Sequence, residues 1–129
     1  MNPKPVSLIL AAISLLVLDS VYLFLNRNIF IQQIETIQKT KLKLNFGSIV
    51  LCYAFILIGL YYFIWKQNRS VYDAGILGLV VYGVYDTTTV ALFKDWNVIM
   101  AGVDVFWGGL LFAVSTWVYN LSQSMAPLA

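Results

Sequence analysis

The 129-residue chain has no histidine, one cysteine and few charges, which make up 11% of its residues. The absence of histidine removes the commonest general base and the commonest transition-metal ligand. The single cysteine, Cys52, has no second cysteine in the chain with which to form a disulfide. The scarcity of charge excludes an ordinary soluble domain, in which about a quarter of the residues are charged. The net charge of +2 gives no reason to expect nucleic acid as a partner.

Apolar residues take the place of the missing charge. They make up 60% of the chain, and the mean hydropathy is +0.80. About 20 consecutive apolar residues are enough for a helix to cross the hydrocarbon core of a bilayer. The apolar runs are continuous rather than alternating, which favours helices over the strands of a barrel. Four spans are predicted, at about residues 5–25, 46–65, 71–93 and 97–119.

Two of the connections between these spans are short. The second and third spans are joined by WKQNRS and the third and fourth by KDW, so neighbouring helices must run antiparallel. The sequence therefore predicts an all-α integral membrane bundle of four transmembrane helices, with residues 1–129 forming a single transmembrane domain.

The long first connection, about residues 27–44, is predicted to form an amphipathic helix in the membrane interface. Phe30, Ile34 and Ile37 recur at helical spacing, whereas Gln33 is expected elsewhere around the helix. A solvated loop is the alternative. The residues expected at the headgroup level are Lys39, Lys41 and Lys43, together with Trp65 and Trp96 as interface anchors.

Three aspartates lie inside the predicted spans: Asp19, Asp86 and Asp104. In the up-and-down order of the spans, each falls about 10 Å below the same membrane face, at about 1.5 Å of rise per residue. An ionised aspartate inside hydrocarbon costs about 2.5–3.5 kcal/mol on insertion scales. The three side chains are therefore expected to turn inwards and to form one buried acidic cluster.

Polar and aromatic neighbours are expected to support these acids. A side chain one helical turn away from an acid shares its face, and a tyrosine hydroxyl can donate to a carboxylate. The supporting residues are predicted to be Tyr22, Tyr82, Tyr85, Thr89 and Trp107.

Carboxyl groups held at short range cannot all stay ionised. Either some of them hold a proton or a cation neutralises them, and oxygen-only ligands would suit a divalent cation such as Ca²⁺ or Mg²⁺. The sequence identifies no cofactor, and the candidate metal ligands are the same three aspartates. The structural alternative is that the acids hydrogen-bond to their neighbours and only fix the assembly of the helices.

Three short motifs carry the aspartates: LD-x-x-Y at 18–22, YGVYDTTT at 82–89 and VD-x-x-WG at 103–108. Together with Trp96, they resemble the Domain of Unknown Function 2177 family, which consists of small predicted membrane proteins with four spans. The departures are Tyr22 where the family usually has Trp, Thr87 and Thr89 where it has Leu and Asn, and Asn97 where it has Pro. The resemblance implies the four-span architecture and the aspartate positions, and it implies no reaction.

These observations favour a multi-pass integral membrane protein whose aspartates bind a proton or a cation, or specify helix assembly. An alternative is a structural subunit of a larger assembly, such as a virion inner membrane or an organelle complex. A lipid-modifying enzyme is the least favoured interpretation, because no nucleophile with an adjacent base appears. The expected partners are the lipid bilayer and other membrane subunits, and nucleic acid is not among them.

Overall fold

The computed structural model of the protein describes residues 2–125. Within these residues the chain folds into α-helices and no strand, which confirms the predicted all-α class. The helices are α1 (Pro5–Leu25), α2 (Arg27–Gln38), α3 (Phe46–Leu60), α4 (Val71–Leu92) and α5 (Val98–Ser124). A π-helical stretch, Tyr61–Trp65, extends α3 without a break.

Four helices are long and apolar enough to cross a membrane: Pro5–Leu25, Phe46–Trp65, Val71–Leu92 and Val98–Ser124. They contain 20 to 27 residues. At the usual rise, such helices span about 30–40 Å, and the hydrocarbon core is about 30 Å thick. The protein is therefore an integral membrane bundle of four transmembrane helices, with α2 between the first two.

Side-chain caps begin three of these helices. The side chains of Asn45, Ser70 and Asn97 each accept a hydrogen bond of 3.0–3.1 Å from the backbone N–H three residues further along. The first turn of a helix leaves such N–H groups without an intrahelical partner, so these caps stabilise the helix ends. The first span instead begins at Pro5, because proline lacks an N–H and its fixed φ suits the first helical position.

The last helix, α5, is the centre of the bundle, with its most extensive interface against α4 and a second interface against α1. Glycines make the α4–α5 interface close. A Cβ atom added to Gly78 would collide with the backbone carbonyl of Gly108, and one added to Gly108 would collide with the ring of Tyr82. Lipid provides little hydrophobic force between helices, so such backbone contact is a main source of helix association in membranes.

Polar contacts join the N-terminal end of α1 to the C-terminal end of α5. The hydroxyls of Ser7 and Ser122 lie 2.9 Å apart, and the backbone N–H of Lys4 donates to Oε1 of Gln123 at 2.7 Å. The Lys4 ammonium donates to the backbone carbonyls of Gln123 and Met125 at the end of α5. The negative pole of the helix dipole at the C-terminal end of α5 also stabilises the positive charge of this ammonium group.

The α3 helix is the least buried of the spans, and it meets α5 through its π-helical stretch. The Trp65 ring is 2% exposed and stacks on Tyr119 with ring centroids 5.3 Å apart. Its Nε1 donates to Oγ1 of Thr116 at 3.1 Å. Trp65 was predicted to be an interface anchor, but its ring is buried against α5, which provides both the apolar surface and the hydrogen-bond acceptor.

One side of α2 is turned towards the bundle. Phe30, Ile34 and Ile37 are half-buried on it, and the Phe30 ring centroid lies 6.1 Å from that of Tyr22. Gln33 lies on this same side rather than elsewhere around the helix, and it is also half-buried. Residues three or four positions apart lie on one helical face. Gln33 is three positions after Phe30 and four before Ile37, so the prediction that it lies elsewhere around the helix was wrong.

The α2 helix is terminated by a residue in the left-handed backbone conformation. Lys39 follows the helix with a φ of 60°, and its N–H donates to the carbonyl of Glu35. Lys41 and Lys43 then lie on the irregular segment that leads to α3. All three lysines are exposed. Their contact with lipid headgroups stays a prediction.

Candidate functional site: the intramembrane aspartates

Asp19 on α1 accepts hydrogen bonds from two other helices. The hydroxyl of Tyr53 on α3 donates to its Oδ2, and Nε1 of Trp107 on α5 donates to its Oδ1 at 3.0 Å. The residue is 6% exposed. Each carboxylate oxygen of Asp19 therefore has a donor, and the three helices are joined at one point.

Asp104 on α5 is held from the first span. The hydroxyl of Tyr22 on α1 donates to Oδ1 of Asp104 at 3.0 Å. The Tyr22 ring stacks on Trp107, with centroids 4.7 Å apart and planes 4° from parallel. Because Trp107 donates to Asp19, the stacked pair of rings links Asp104 and Asp19 across the interface between α1 and α5.

Asp86 on α4 has different surroundings. The residue is 3% exposed, and its Oδ2 is buried without a hydrogen-bond partner among the described residues. The carboxyl group of Asp104 lies within interaction range of it. A buried polar atom without a partner is uncommon in folded proteins and calls for a physical explanation.

The threonines around Asp86 do not donate to it. The hydroxyls of Thr87, Thr88 and Thr89 donate to the carbonyls of Gly83, Val84 and Tyr85, each four residues earlier in α4, at 2.6, 2.6 and 2.9 Å. Such bonds to the preceding turn are a common way for threonine to satisfy its hydroxyl within a helix. Asp86 therefore lies among hydroxyl groups that are already engaged with backbone.

The prediction of one buried three-aspartate cluster is wrong. Asp19 and Asp86 are buried, but Asp104 is half-exposed. Asp104 lies in the second turn of α5, and Gly102, Val103 and Phe106 around it are exposed. Asp104 thus lies beside an exposed edge of α5 and remains partly accessible, although the hydroxyl of Tyr22 contacts it.

The divalent-cation hypothesis loses its geometric basis with the cluster. Among residues 2–125, no group of three acidic or sulfur side chains is arranged to hold a metal ion. Calcium and magnesium sites in proteins require several convergent oxygen ligands. The described part of the chain therefore provides no metal-site geometry.

The other residues that were predicted to support the acids lie on α4. Tyr82 is half-buried and packs on Gly108, with its ring 6.1 Å from that of Phe112. Thr89 is buried, whereas Tyr85 is 62% exposed. The site thus includes Tyr82 as packing for the α4–α5 interface, and it leaves the Tyr85 side chain on the outside.

Sequence reasoning missed Tyr53. This residue lies in LCYAFILIGL, an apolar stretch without an acid, and nothing in its spacing shows which helix it faces. A tyrosine in the middle of an apolar span was the available signal, because a buried hydroxyl generally requires a hydrogen-bond partner. Among the predicted headgroup-level residues, Trp96 is half-buried, with its ring 5.8 Å from that of Phe93.

Comparison with known families agrees with this architecture. A family model described as a predicted membrane protein, DUF2177, matches residues 5–121, which include all four spans and all three aspartates. The chain belongs to the DUF2177 family. This membership and the four long apolar helices identify a membrane protein. The match supplies no activity for a DUF2177 protein.

No curated protein and no solved structure matches the chain.

Proposed function

We propose that this DUF2177 protein binds a proton inside the membrane at Asp86, with Asp104 as the second carboxyl group of the site. The observation that supports the proposal is the buried Oδ2 of Asp86, which has no hydrogen-bond partner among the described residues. An ionised carboxylate in this position would bring a negative charge into hydrocarbon, at a cost of about 2.5–3.5 kcal/mol on insertion scales. A protonated carboxyl group avoids that cost.

Asp104 supplies the acceptor that a protonated Asp86 requires. A neutral carboxylic acid has one O–H donor, and the carboxyl group of Asp104 lies within range of it. Two carboxyl groups at short range do not both stay ionised, and the usual outcome is one proton for the pair. Tyr22 donates to Asp104, so the negative charge of the pair rests on the residue that has a donor.

The half-exposed position of Asp104 gives the proton an exit. Asp104 lies near the start of α5, at the same end of the bundle as the connection between α4 and α5. A proton that leaves Asp86 therefore passes to a carboxyl group close to that membrane face. The proposal is a one-sided proton site, and no second opening is required.

Asp19 has the other role that the sequence suggested for these acids, namely helix assembly. Its two donors come from α3 and α5, so loss of the carboxylate would leave both donors unpartnered. Participation of the protein in a larger membrane assembly remains a second proposal, and the outcome of the following test bears on it.

The proposal predicts that unfolding releases a proton. The purified protein would be unfolded thermally in detergent across the near-neutral pH range, for the wild type, Asp86→Asn and the control Asp73→Asn, at a half-exposed acid outside the site. If Asp86 is protonated when folded and ionised when unfolded, the folded state binds more protons, and the midpoint falls as pH rises. Asp86→Asn should remove this fall, and Asp73→Asn should retain it.

The opposite result would indicate that Asp86 has a structural role and does not bind a proton. A pH dependence that is the same in Asp86→Asn and in the wild type would exclude proton binding at this residue. A uniform loss of stability in Asp86→Asn would instead favour a purely structural carboxyl group, and the membrane-assembly proposal would then become the leading one.

A further inference from the structure

The lysine segment, residues 39–43, follows the end of α2 and carries three exposed lysines, Lys39, Lys41 and Lys43. None of them forms an ion pair with an acid among residues 2–125, where the ion pair present joins Arg69 and Asp73. Their ammonium groups are therefore available to an anion from outside the described chain. The intramembrane aspartates lie elsewhere in the chain, so a ligand of the lysine segment does not depend on the proposed proton site.

Hydrogen bonds to the end of α2 hold the backbone of the lysine segment in place. Lys39 adopts the left-handed conformation that ends the helix. The N–H of Leu42 then donates to Oε2 of Glu35 at 2.8 Å, and Nε2 of Gln38 donates to the carbonyl of Lys41 at 3.2 Å. Because this backbone is already ordered, a ligand that binds it avoids part of the entropic cost of association.

The charge around the lysine segment is not balanced by acids. Glu35 is the only acid in residues 26–45, and its Oε2 accepts from the main chain. The connection at residues 93–97 lies at the same end of the bundle, because the spans alternate in direction. The two connections together contain five cationic and two acidic side chains, so this end of the protein has a net positive charge.

The lysine segment leads directly into a membrane span. Asn45 caps α3, and Phe46 is the first residue of that helix, so the lysines lie at the depth of the lipid headgroups. Leu44 and Phe46 are 59% and 72% exposed. Cationic groups are thus followed, within a few residues, by apolar side chains that face outwards. A ligand that matches both features has an anionic head and a hydrocarbon tail.

We propose that the lysine segment binds an anionic phospholipid, with the headgroup phosphate paired with the lysine ammonium groups and an acyl chain against Leu44 and Phe46. A zwitterionic lipid such as phosphatidylcholine brings a cation of its own towards the lysines, so its binding is weaker. A soluble anion has no hydrocarbon to cover the two apolar side chains. The bilayer itself is therefore the source of the ligand.

The test is native mass spectrometry of the full-length protein in detergent, with phosphatidylglycerol or phosphatidylcholine of identical acyl chains. A lysine near an anionic membrane surface contributes about 1 kcal/mol, which corresponds to a factor of about five in affinity. Lys41→Gln should therefore reduce the preference for phosphatidylglycerol by up to about fivefold, and replacement of all three lysines by glutamine should remove it. Glu35→Gln retains a side-chain oxygen for the N–H of Leu42 but removes the acid, so it should increase the preference.

Lys94→Gln is the matched control. Lys94 is an exposed lysine at the same end of the bundle, but it lies outside the lysine segment, so this variant should retain most of the preference. An equal loss in Lys94→Gln and Lys41→Gln would overturn the proposal, because the whole charged end rather than the segment would attract the lipid. Equal binding of the two lipids by the wild type would also overturn it.

Glycerol 3-phosphate separates a lipid from a soluble phosphate compound. The proposal predicts that it displaces phosphatidylglycerol only at concentrations far above that of the lipid, because it has no acyl chain to contact Leu44 and Phe46. Displacement at concentrations close to that of the lipid would contradict a lipid site and would indicate a site for a soluble phosphate.

Discussion

Asp19 and Asp86 are both buried aspartates of membrane-spanning helices, with exposures of 6% and 3%, but their surroundings are opposite. Asp19 accepts from Tyr53 and Trp107, which belong to two other helices. Asp86 has a carboxylate oxygen without a partner and threonine neighbours whose hydroxyls are engaged with backbone. Burial alone therefore does not define what an intramembrane acid does. Whether hydrogen-bond donors reach the carboxyl group distinguishes an assembly contact from a proton site.

The difference also follows the packing of the helices. Asp19 lies where α1, α3 and α5 meet, so two elements can supply donors to it. Asp86 lies on α4, which packs closely on α5 through Gly78 and Gly108. Close backbone packing through glycine excludes water and brings few side-chain donors, because glycine has none. The tight part of the α4–α5 interface therefore supplies no donor to Oδ2 of Asp86, whose neighbour from α5 is the carboxyl group of Asp104.

The largest expected effect is that of Asp19→Leu. The change leaves the Tyr53 hydroxyl and the Trp107 indole N–H buried without an acceptor, so the free energy of unfolding should fall by about 2–3 kcal/mol. Reversible unfolding in mixed micelles measures it. Asp73→Leu, at a half-exposed acid that pairs with the exposed Arg69, should change stability by no more than about 1 kcal/mol. A neutral effect of Asp19→Leu would show that the two donors find other partners and would remove the contrast with Asp86.

Gly78→Ala tests the packing side of the comparison. Its Cβ would collide with the carbonyl of Gly108, so α4 must move away from α5 at a cost of about 2 kcal/mol. The same unfolding measurement applies. Gly102→Ala is the control, because an added Cβ at Gly102 meets no atom within 4 Å. Equal effects of the two variants would mean that close approach of the backbones is not a determinant of stability.

Asp86→Leu should have the opposite sign to Asp19→Leu. Leucine has the same branched arrangement of side-chain heavy atoms as aspartate, removes the unpartnered oxygen and is favourable in hydrocarbon, so stability should rise by about 1–2 kcal/mol. The comparison of the two leucine variants in the same micelles is the sharpest test of the two roles. A destabilisation by Asp86→Leu as large as that by Asp19→Leu would mean that Asp86 is also an assembly contact.

The smallest expected effect is that of Trp65→Phe. Phenylalanine retains the stacking on Tyr119 but removes the N–H that donates to Thr116, which should cost about 0.6 kcal/mol, the average for a hydrogen bond between membrane helices. Trp117→Phe serves as the control, because Trp117 is 55% exposed. If the two tryptophans gave the same small change, the Trp65 hydrogen bond would contribute nothing to the attachment of α3.

The sequence was sufficient for the architecture because long apolar runs have few physical alternatives. A run of about 20 apolar residues must cross the bilayer as a helix that satisfies its own backbone. The order of the spans also follows from short connections such as KDW. The structure adds the helix caps Asn45, Ser70 and Asn97, which are residue types favoured at helix starts.

The site was less predictable because it depends on how each helix is rotated about its axis. The depth of Asp104 could be estimated from the sequence, but whether another helix covers it could not. For the same reason, Tyr53 was missed and Trp65 was predicted to be an interface anchor. In a chain that is apolar on all sides, periodicity does not distinguish a lipid-facing position from one that faces a neighbouring helix.

The most direct test of the account is the infrared spectrum of the reconstituted protein with ¹³C-labelled aspartate carboxyl groups at neutral pH. A protonated aspartate gives the C=O stretch of a carboxylic acid, which is distinct from the carboxylate bands, and the isotope shift identifies it. The account predicts this band in the wild type and in Asp73→Asn, and its loss in Asp86→Asn. The absence of the band from the wild type, or its persistence in Asp86→Asn, would contradict a proton held at Asp86.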